Sequence, residues 1–272
     1  MMSSFKVIFT GLVAAFFLGI SMLVSAAQWS STELQLQRGG LIDPFPDDET
    51  TLGDKHQTTI LTFQHASGWQ YGENFFFIDY LSDSEVDGFN DHAYYGELYS
   101  TFSAGKIFGA KFGGPIRDLG FVMGFNASGE AKVVKYLPGL QVNWEIPGFA
   151  FFNTLLTAYI DDSEGLGKGG APKEKDSYML DIAWKYPFDI GNLSFSIEGH
   201  AEYISGRDLD EGFDAEAESW ILAQPQFRLD LGKLLFSAPG QLHVGIEYQY
   251  WRNKLGSKED ESTAQFLLVW GL

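Results

Sequence analysis

Leu193-Ser-Phe-Ser-Ile-Glu-Gly-His-Ala-Glu-Tyr203 places Leu193, Phe195, Ile197, Ala201 and Tyr203 on one face and Ser194, Ser196, Glu198, His200 and Glu202 on the other. A period of two is that of a β-strand with one apolar and one polar side. The pattern recurs along the chain. Tyr178, Leu180, Ile182, Trp184 and Tyr186 alternate with Asp181 and Lys185, and Leu242, Val244, Ile246, Tyr248 and Tyr250 alternate with His243, Glu247, Gln249 and Trp251.

Two architectures accept such strands. A soluble sandwich or barrel buries the apolar face; a membrane barrel turns it to lipid and keeps polar groups in the lumen. Three features favour the membrane. Apolar faces carry Tyr, Trp or Phe at their ends, as interfacial girdles do. The strands run nine residues or more, enough to cross when tilted, whereas soluble strands average about 5–6. Connections also alternate between short and long, the asymmetry of outer-membrane barrels.

The candidate strands are 29–38, 57–66, 73–81, 92–103, 119–128, 136–146, 149–160, 177–187, 193–205, 219–230, 241–252 and 262–272. The fold class read from them is all-β, a twelve-stranded antiparallel transmembrane β-barrel in one domain, 28–272. Connections from even to odd strands are tight at Ser67–Gly72, Pro147-Gly148 and Asp189–Asn192, while 104–118 is longer and holds Lys106, Lys111 and Arg117. The opposite connections, 39–56, 82–91, 161–176, 206–218 and 253–261, are longer and acidic. Asp43, Asp47, Asp48, Glu49 and Asp54 lie in the first, and Asp208, Asp210, Glu211 and Asp214 in the fourth. The last strand, with Ala264, Phe266, Leu268, Trp270 and Leu272 on one side, suits recognition by barrel-insertion machinery. In a soluble protein such an edge would invite aggregation.

Composition narrows the function classes. The chain has 272 residues, 18 Lys+Arg against 36 Asp+Glu, a net charge of −18 and no cysteine. A nucleic-acid partner would need a basic face, and a polybasic membrane contact is absent. Disulfides, thiolate metal sites and Cys nucleophiles are excluded. Val7–Ala27 carries no charge and ends in Val24-Ser25-Ala26-Ala27 before Gln28-Trp29-Ser30-Ser31, the pattern of a signal peptide over 1–27 that is cleaved on export.

His65-Ala-Ser-Gly-Trp69-Gln-Tyr71-Gly72-Glu-Asn-Phe75-Phe-Phe77-Ile-Asp79-Tyr80, followed by Tyr95-Gly96-Glu97, is a hairpin whose Gly-bounded turn precedes an aromatic strand. With Leu137-Pro138-Gly139-Leu140-Gln141-Val142-Asn143-Trp144, it resembles the Tsx family of nucleoside-specific channel-forming outer-membrane proteins. The resemblance implies a monomeric barrel with a narrow pore lined by aromatic and ionisable side chains that passes nucleosides. The signal that barrel-insertion machinery reads usually ends in Phe, whereas the carboxyl-terminal residue here is Leu272.

Strand alternation, not that family, selects the pore-lining candidates: Glu73, Phe75, Phe77, Asp79, Tyr95, Glu97, Glu198, His200, Glu202, Arg228, Glu247 and Trp251. Glu33, Gln35, Gln37, Tyr99, Gln141, Asn143, Glu145, Asp181, Lys185, Gln224, Gln226, Asp230, His243 and Gln249 share those faces. Rings stack on a base while acids and amides bond to hydroxyls and base edges. The third strand is ambiguous, because Asn74, Phe76, Ile78 and Tyr80 form an equally consistent lipid face. The expected partners are nucleosides or small polar aromatic solutes, with outer-membrane lipid and lipopolysaccharide outside; no cofactor or metal is expected. Glu198-x-His200-x-Glu202 has metal-ligand chemistry but only one His on one strand. The alternatives are a general small-solute porin, a structural barrel plugged by its own charges, and an outer-membrane acyl hydrolase built on His65, Ser67 and Asn74. For that last set a plain His–Ser contact at a turn is the simpler expectation.

Overall fold

A computed structural model describes residues 27–46, 49–85, 89–210, 212 and 214–272. Residues 1–26, where the sequence leads one to expect a signal peptide, and the loop acids Asp47, Asp48 and Glu211 lie outside the described residues.

Long antiparallel strands follow one another around a closed sheet: β1 (Trp29–Ile42), β2 (Lys55–Trp69), β3 (Gly72–Ser82), β4 (Ala93–Ser103), β5 (Ile116–Ser128), β6 (Val133–Trp144), β7 (Phe151–Asp161), β8 (Ser177–Ile190) and β9 (Leu193–Ile204). A small hairpin, β10 (Arg207–Asp208) with β11 (Glu216–Ala217), stands apart in a loop. The circuit then continues through β12 (Trp220–Ala223), β13 (Gln226–Asp230), β14 (Leu242–Arg252) and β15 (Glu261–Gly271). Pairing of β15 with β1 closes the barrel.

β12 and β13 are one stave. Both pair with β9 and β14 in a single unbroken register, so the barrel has twelve staves. The gap falls at Gln224-Pro225, where proline offers no N–H to the ladder. The backbone crowds Gly199 there: a Cβ on that residue would lie 2.2 Å from the Gln224 carbonyl oxygen, and its φ is +145°.

The strand boundaries extend the sequence expectations at several ends. β1 runs to Ile42 and β8 through Pro187 to Ile190, which shortens the adjoining connections to 43–54 and Gly191-Asn192. Glu145, expected in the lumen, instead lies beyond the end of β6 and is exposed. We call the end with Gln70-Tyr71 and Gly191-Asn192 the turn end and the opposite one the loop end. Two turn-end connections carry short helices, Ala104–Phe108 and Leu231–Phe236. Asp230 caps the second by accepting from the Lys233 backbone N–H at 2.7 Å. Asp118 accepts from the Gly105 N–H at 2.9 Å in the first. These two acids therefore serve the backbone.

The outside decides the environment. Every stave turns at least one large apolar side chain outward, with Leu140 62%, Leu156 54% and Ile246 53% exposed. Aromatic pairs such as Tyr80–Tyr94 and Tyr178–Tyr203 ring the loop end, and Phe188–Phe195 and Tyr186–Phe149 the turn end. Conversely, the buried residues facing inward are mostly polar: Gln35, Gln37, Asn126, Arg228, Glu247 and Gln265 among them. An apolar belt between aromatic girdles around a polar inside is stable with lipid around it. This is a transmembrane barrel of the kind bacterial outer membranes hold.

Candidate functional site: the lumen

The ambiguous strand is settled by its neighbours. The Thr62 hydroxyl donates to Asp79 at 2.6 Å inside the barrel. Phe76 packs against Phe63 outside, ring centroids 5.8 Å apart, beside Ile78 at 51% exposure. Glu73, Phe75, Phe77 and Asp79 therefore face the lumen. Opposite them on β4, Phe77 pairs with Glu97 and Asp79 with Tyr95, so ring and carboxyl alternate across the two strands. Phe77 lies 6.0 Å from Tyr95 and 6.2 Å from Phe75, centroid to centroid. The Tyr95 hydroxyl donates to Glu97 at 2.5 Å, and Asn126 donates to the same carboxylate at 3.0 Å.

Across the lumen, β8 and β9 bring charge. Lys185 meets Glu198 at 3.0 Å, and Glu198 also meets Arg228 at 3.4 Å. Arg228 reaches Glu33 at 3.0 Å. His200 sets Nδ1 3.2 Å from Asp181 and Nε2 2.9 Å from the Gln224 amide oxygen. The Gln224 nitrogen in turn donates to Gln249 at 2.9 Å, which fixes the amide orientation. Both ring nitrogens of His200 thus have oxygen partners. Glu202 accepts from the Trp220 indole N–H at 3.2 Å. The three residues of the Glu198–Glu202 pattern thus each have separate partners, and among the described residues no group of three metal-ligating side chains converges.

The lumen is unevenly filled. Along β13, β14, β15 and β1 the inside is sealed by an amide and carboxyl ladder. Gln226 donates to Glu247 at 2.6 Å and to Gln35 at 3.2 Å, and Gln265 donates to Glu247 at 3.1 Å. The Lys185 and His200 side chains, although they point inward, remain 32% and 34% exposed. Accessible surface therefore remains inside the barrel on the charged wall of β8–β9 and, with Phe75, Phe77 and Tyr95 half-buried, on the aromatic wall of β3–β4. At the turn end Glu73, Ser103, Lys106, Arg117, Asp118 and Asn143 border a cavity of about 380 Å³.

The loop end is closed by groups that sequence inspection did not single out. Glu174, from the connection 162–176, accepts from Lys135 at 2.5 Å and from Arg207 at 2.7 and 2.9 Å. Lys135 also meets Asp161 at 3.0 Å. The Arg207 guanidinium lies 4.4 Å from the centroid of the Trp220 ring and 5.1 Å from that of Tyr159. Tyr159 and Trp220 belong to an apolar cluster with Leu137, Met179 and Ile204, against which Tyr99 and Trp251 pack. Trp251 thus faces inward but belongs to this closure, with the Lys254 ammonium 5.6 Å from its ring centroid. Burial holds that ammonium below the ordinary lysine range, while Glu261 at 2.9 Å opposes the shift. The only signal available beforehand was Lys135 itself, a cation between Val134 and Tyr136 on a membrane strand.

The proposed acyl-transfer set does not assemble. His65 faces outward from within β2, not from a turn, and bonds to Thr32 Oγ1 at 2.8 Å in place of the expected Ser67 contact. Asn74 is occupied by the Ser100 hydroxyl at 2.9 Å.

No family model and no curated protein sequence matches this chain. Solved structures do. The chain is similar to the NanC porin at 10% identity and TM-score 0.51, over 88% of this chain and 100% of that one. It is also similar to the KdgM porin, solved in complex with disordered oligogalacturonate, at 7% identity and TM-score 0.46, over 88% and 99%. At such identities the likeness to the first is one of fold: the chain folds as outer-membrane porin barrels do.

Proposed function

We propose that the protein is an outer-membrane channel for passive uptake of small polar solutes, and within that class of nucleosides or similar aromatic molecules, acting as a monomer. The observation that carries this reading is the accessible surface kept inside the barrel by Phe75, Phe77 and Tyr95 on one wall and by Lys185, Glu198 and His200 on the other. Rings opposite hydrogen-bonding groups suit a base joined to a polar sugar, and a pathway of several moderate contacts lets a solute enter and leave. A general porin has no need of a stacking wall. Lipid and lipopolysaccharide surround the barrel in this reading, and insertion machinery reads the β15 signal.

A structural barrel is the second reading. It is favoured by the loop-end closure through Glu174 and Arg207 and by the amide ladder along the sealed wall. Single-channel recording in a planar bilayer separates the two. Steady conductance with saturable block by adenosine or uridine, and none by glucose, supports the nucleoside channel. Conductance indifferent to nucleosides supports the general porin. Absence of conductance from barrels shown to be inserted supports the structural one.

A further inference from the structure

Charges in the lumen are sorted by height. Near the turn end, Arg228 and Lys185 are matched by Glu33 and Glu198. At the loop end, Lys135 and Arg207 are matched by Asp161 and Glu174, and Lys254 by Glu261. Between these belts the match fails. Asp79, Glu97, Asp181 and Glu202 share one nearby basic group, His200, which also acts on Glu247 together with Arg228.

Hydrogen bonding shows the same imbalance independently. Asn126, 3% exposed, donates to Glu97 and to the Tyr95 hydroxyl, yet its carbonyl oxygen is buried with no partner. Gln265, 0% exposed, donates to Glu247 and likewise leaves its own oxygen unpaired. Buried acceptors without donors are costly. The carboxyls themselves lack counter-charge, and a positively charged donor supplies it. The aromatic wall stands at the same height, with Phe77 opposite Glu97 and Tyr95 opposite Asp79. Carboxylates beside ring faces form the recognition chemistry of an organic ammonium.

We propose that the middle of the lumen selects positively charged aromatic amines, holding the ammonium among Asp79, Glu97 and Glu202 and the ring against Phe75, Phe77 and Tyr95, and that it disfavours anions. This rests on the channel reading and names the solute class for it: cationic before neutral, neutral before anionic.

The test uses the full mature chain in a planar bilayer. A potassium chloride gradient gives the ion preference from the reversal potential, and phenethylammonium, 2-phenylethanol and phenylacetate serve as blockers of one shape and three charges. The expected preference for potassium over chloride is roughly fivefold or more, from counter-ion enrichment in a charged cleft. It persists near 1 M salt, where a Debye length of about 3 Å screens the exposed acidic loops. Half-block should need about tenfold less phenethylammonium than phenylacetate, with the alcohol between them. Glu97→Gln with Glu202→Gln should shrink both differences. Conductance without cation preference, or equal block by the three probes, overturns the proposal and leaves the channel reading intact. No conductance overturns both. A double variant that conducts with unchanged selectivity refutes the mid-lumen assignment, and the unmodified protein carries the test if that variant does not insert.

Discussion

Glu174→Ala should release the loop-end closure. Its carboxylate takes three donors at 2.5–2.9 Å, from Lys135 and from two nitrogens of Arg207. The Lys135 and Arg207 side chains are 4% and 2% exposed. Without Glu174 only Asp161 remains to balance them, at 3.0 Å from Lys135, so Arg207 keeps its ring contacts and the Ser205 carbonyl but has no counter-ion. Leaving one charge of a buried pair uncompensated costs about 3–5 kcal/mol. The strand ladder does not depend on this contact, so the cost falls on the docking of the connection 162–176. At 1.4 kcal/mol per factor of ten, the undocked fraction rises by roughly two to three orders of magnitude. Limited trypsin digestion of folded protein in detergent reads that fraction through cleavage at Lys168, Lys173 and Lys175, since cleavage follows the open population when reclosing is fast. Digestion of the variant at the rate of the unmodified protein would refute the reasoning, because Glu174 would then not hold the loop.

Asp208→Asn breaks the Lys175–Asp208 pair, 2.7 Å apart but 56% exposed on both sides. That pair holds Lys175 above the ordinary lysine range through its hydrogen bond, yet water screens an ion pair this exposed, so digestion should change little, by less than about fivefold. Leu140→Arg puts a charge on the lipid face at a position 62% exposed in the middle of β6. It should cost about 2–4 kcal/mol, read as a lower urea midpoint for folding into vesicles, and an unchanged midpoint would contradict the outward assignment. Gly139→Ala drives a Cβ to 2.2 Å from the Leu156 carbonyl oxygen of β7 and should prevent correct β6–β7 pairing; heat-modifiable gel migration identical to the parent would count against it. Phe77→Ala should weaken adenosine block roughly 5- to 100-fold, from about 1–3 kcal/mol of stacking per base, with insertion normal. Trp251→Ala should do less, because that ring packs against the loop-end cluster, and equal losses from both would argue that the solute passes through the closure.

Alternation by itself determined the staves of this protein. In strands such as Leu193–Ile204 and Leu242–Arg252, apolar and polar residues differ so sharply that a one-residue slip would put Glu198 or Glu247 in lipid. The same contrast puts His200, Glu202 and Arg228 on the polar faces of their strands from sequence alone. It failed for Gly72–Ser82, where Phe75 and Phe76, or Phe77 and Ile78, are equally apolar and both a girdle and a pore wall accept rings. Only Thr62 on one neighbour and Phe63 on the same strand, one to each face, settled that register. The loop-end closure was illegible for a different reason. Glu174 and Arg207 are 33 residues apart in connections rich in acids, where a charged residue reads as solvated, and no local period joins them. What pairs them is the shape of the closed barrel: β7–β8 and β9–β12 end at neighbouring points of one rim, so their loops meet over Lys135 and Asp161. Burial there, which no linear pattern encodes, turns loop charges into a buried ionic lock.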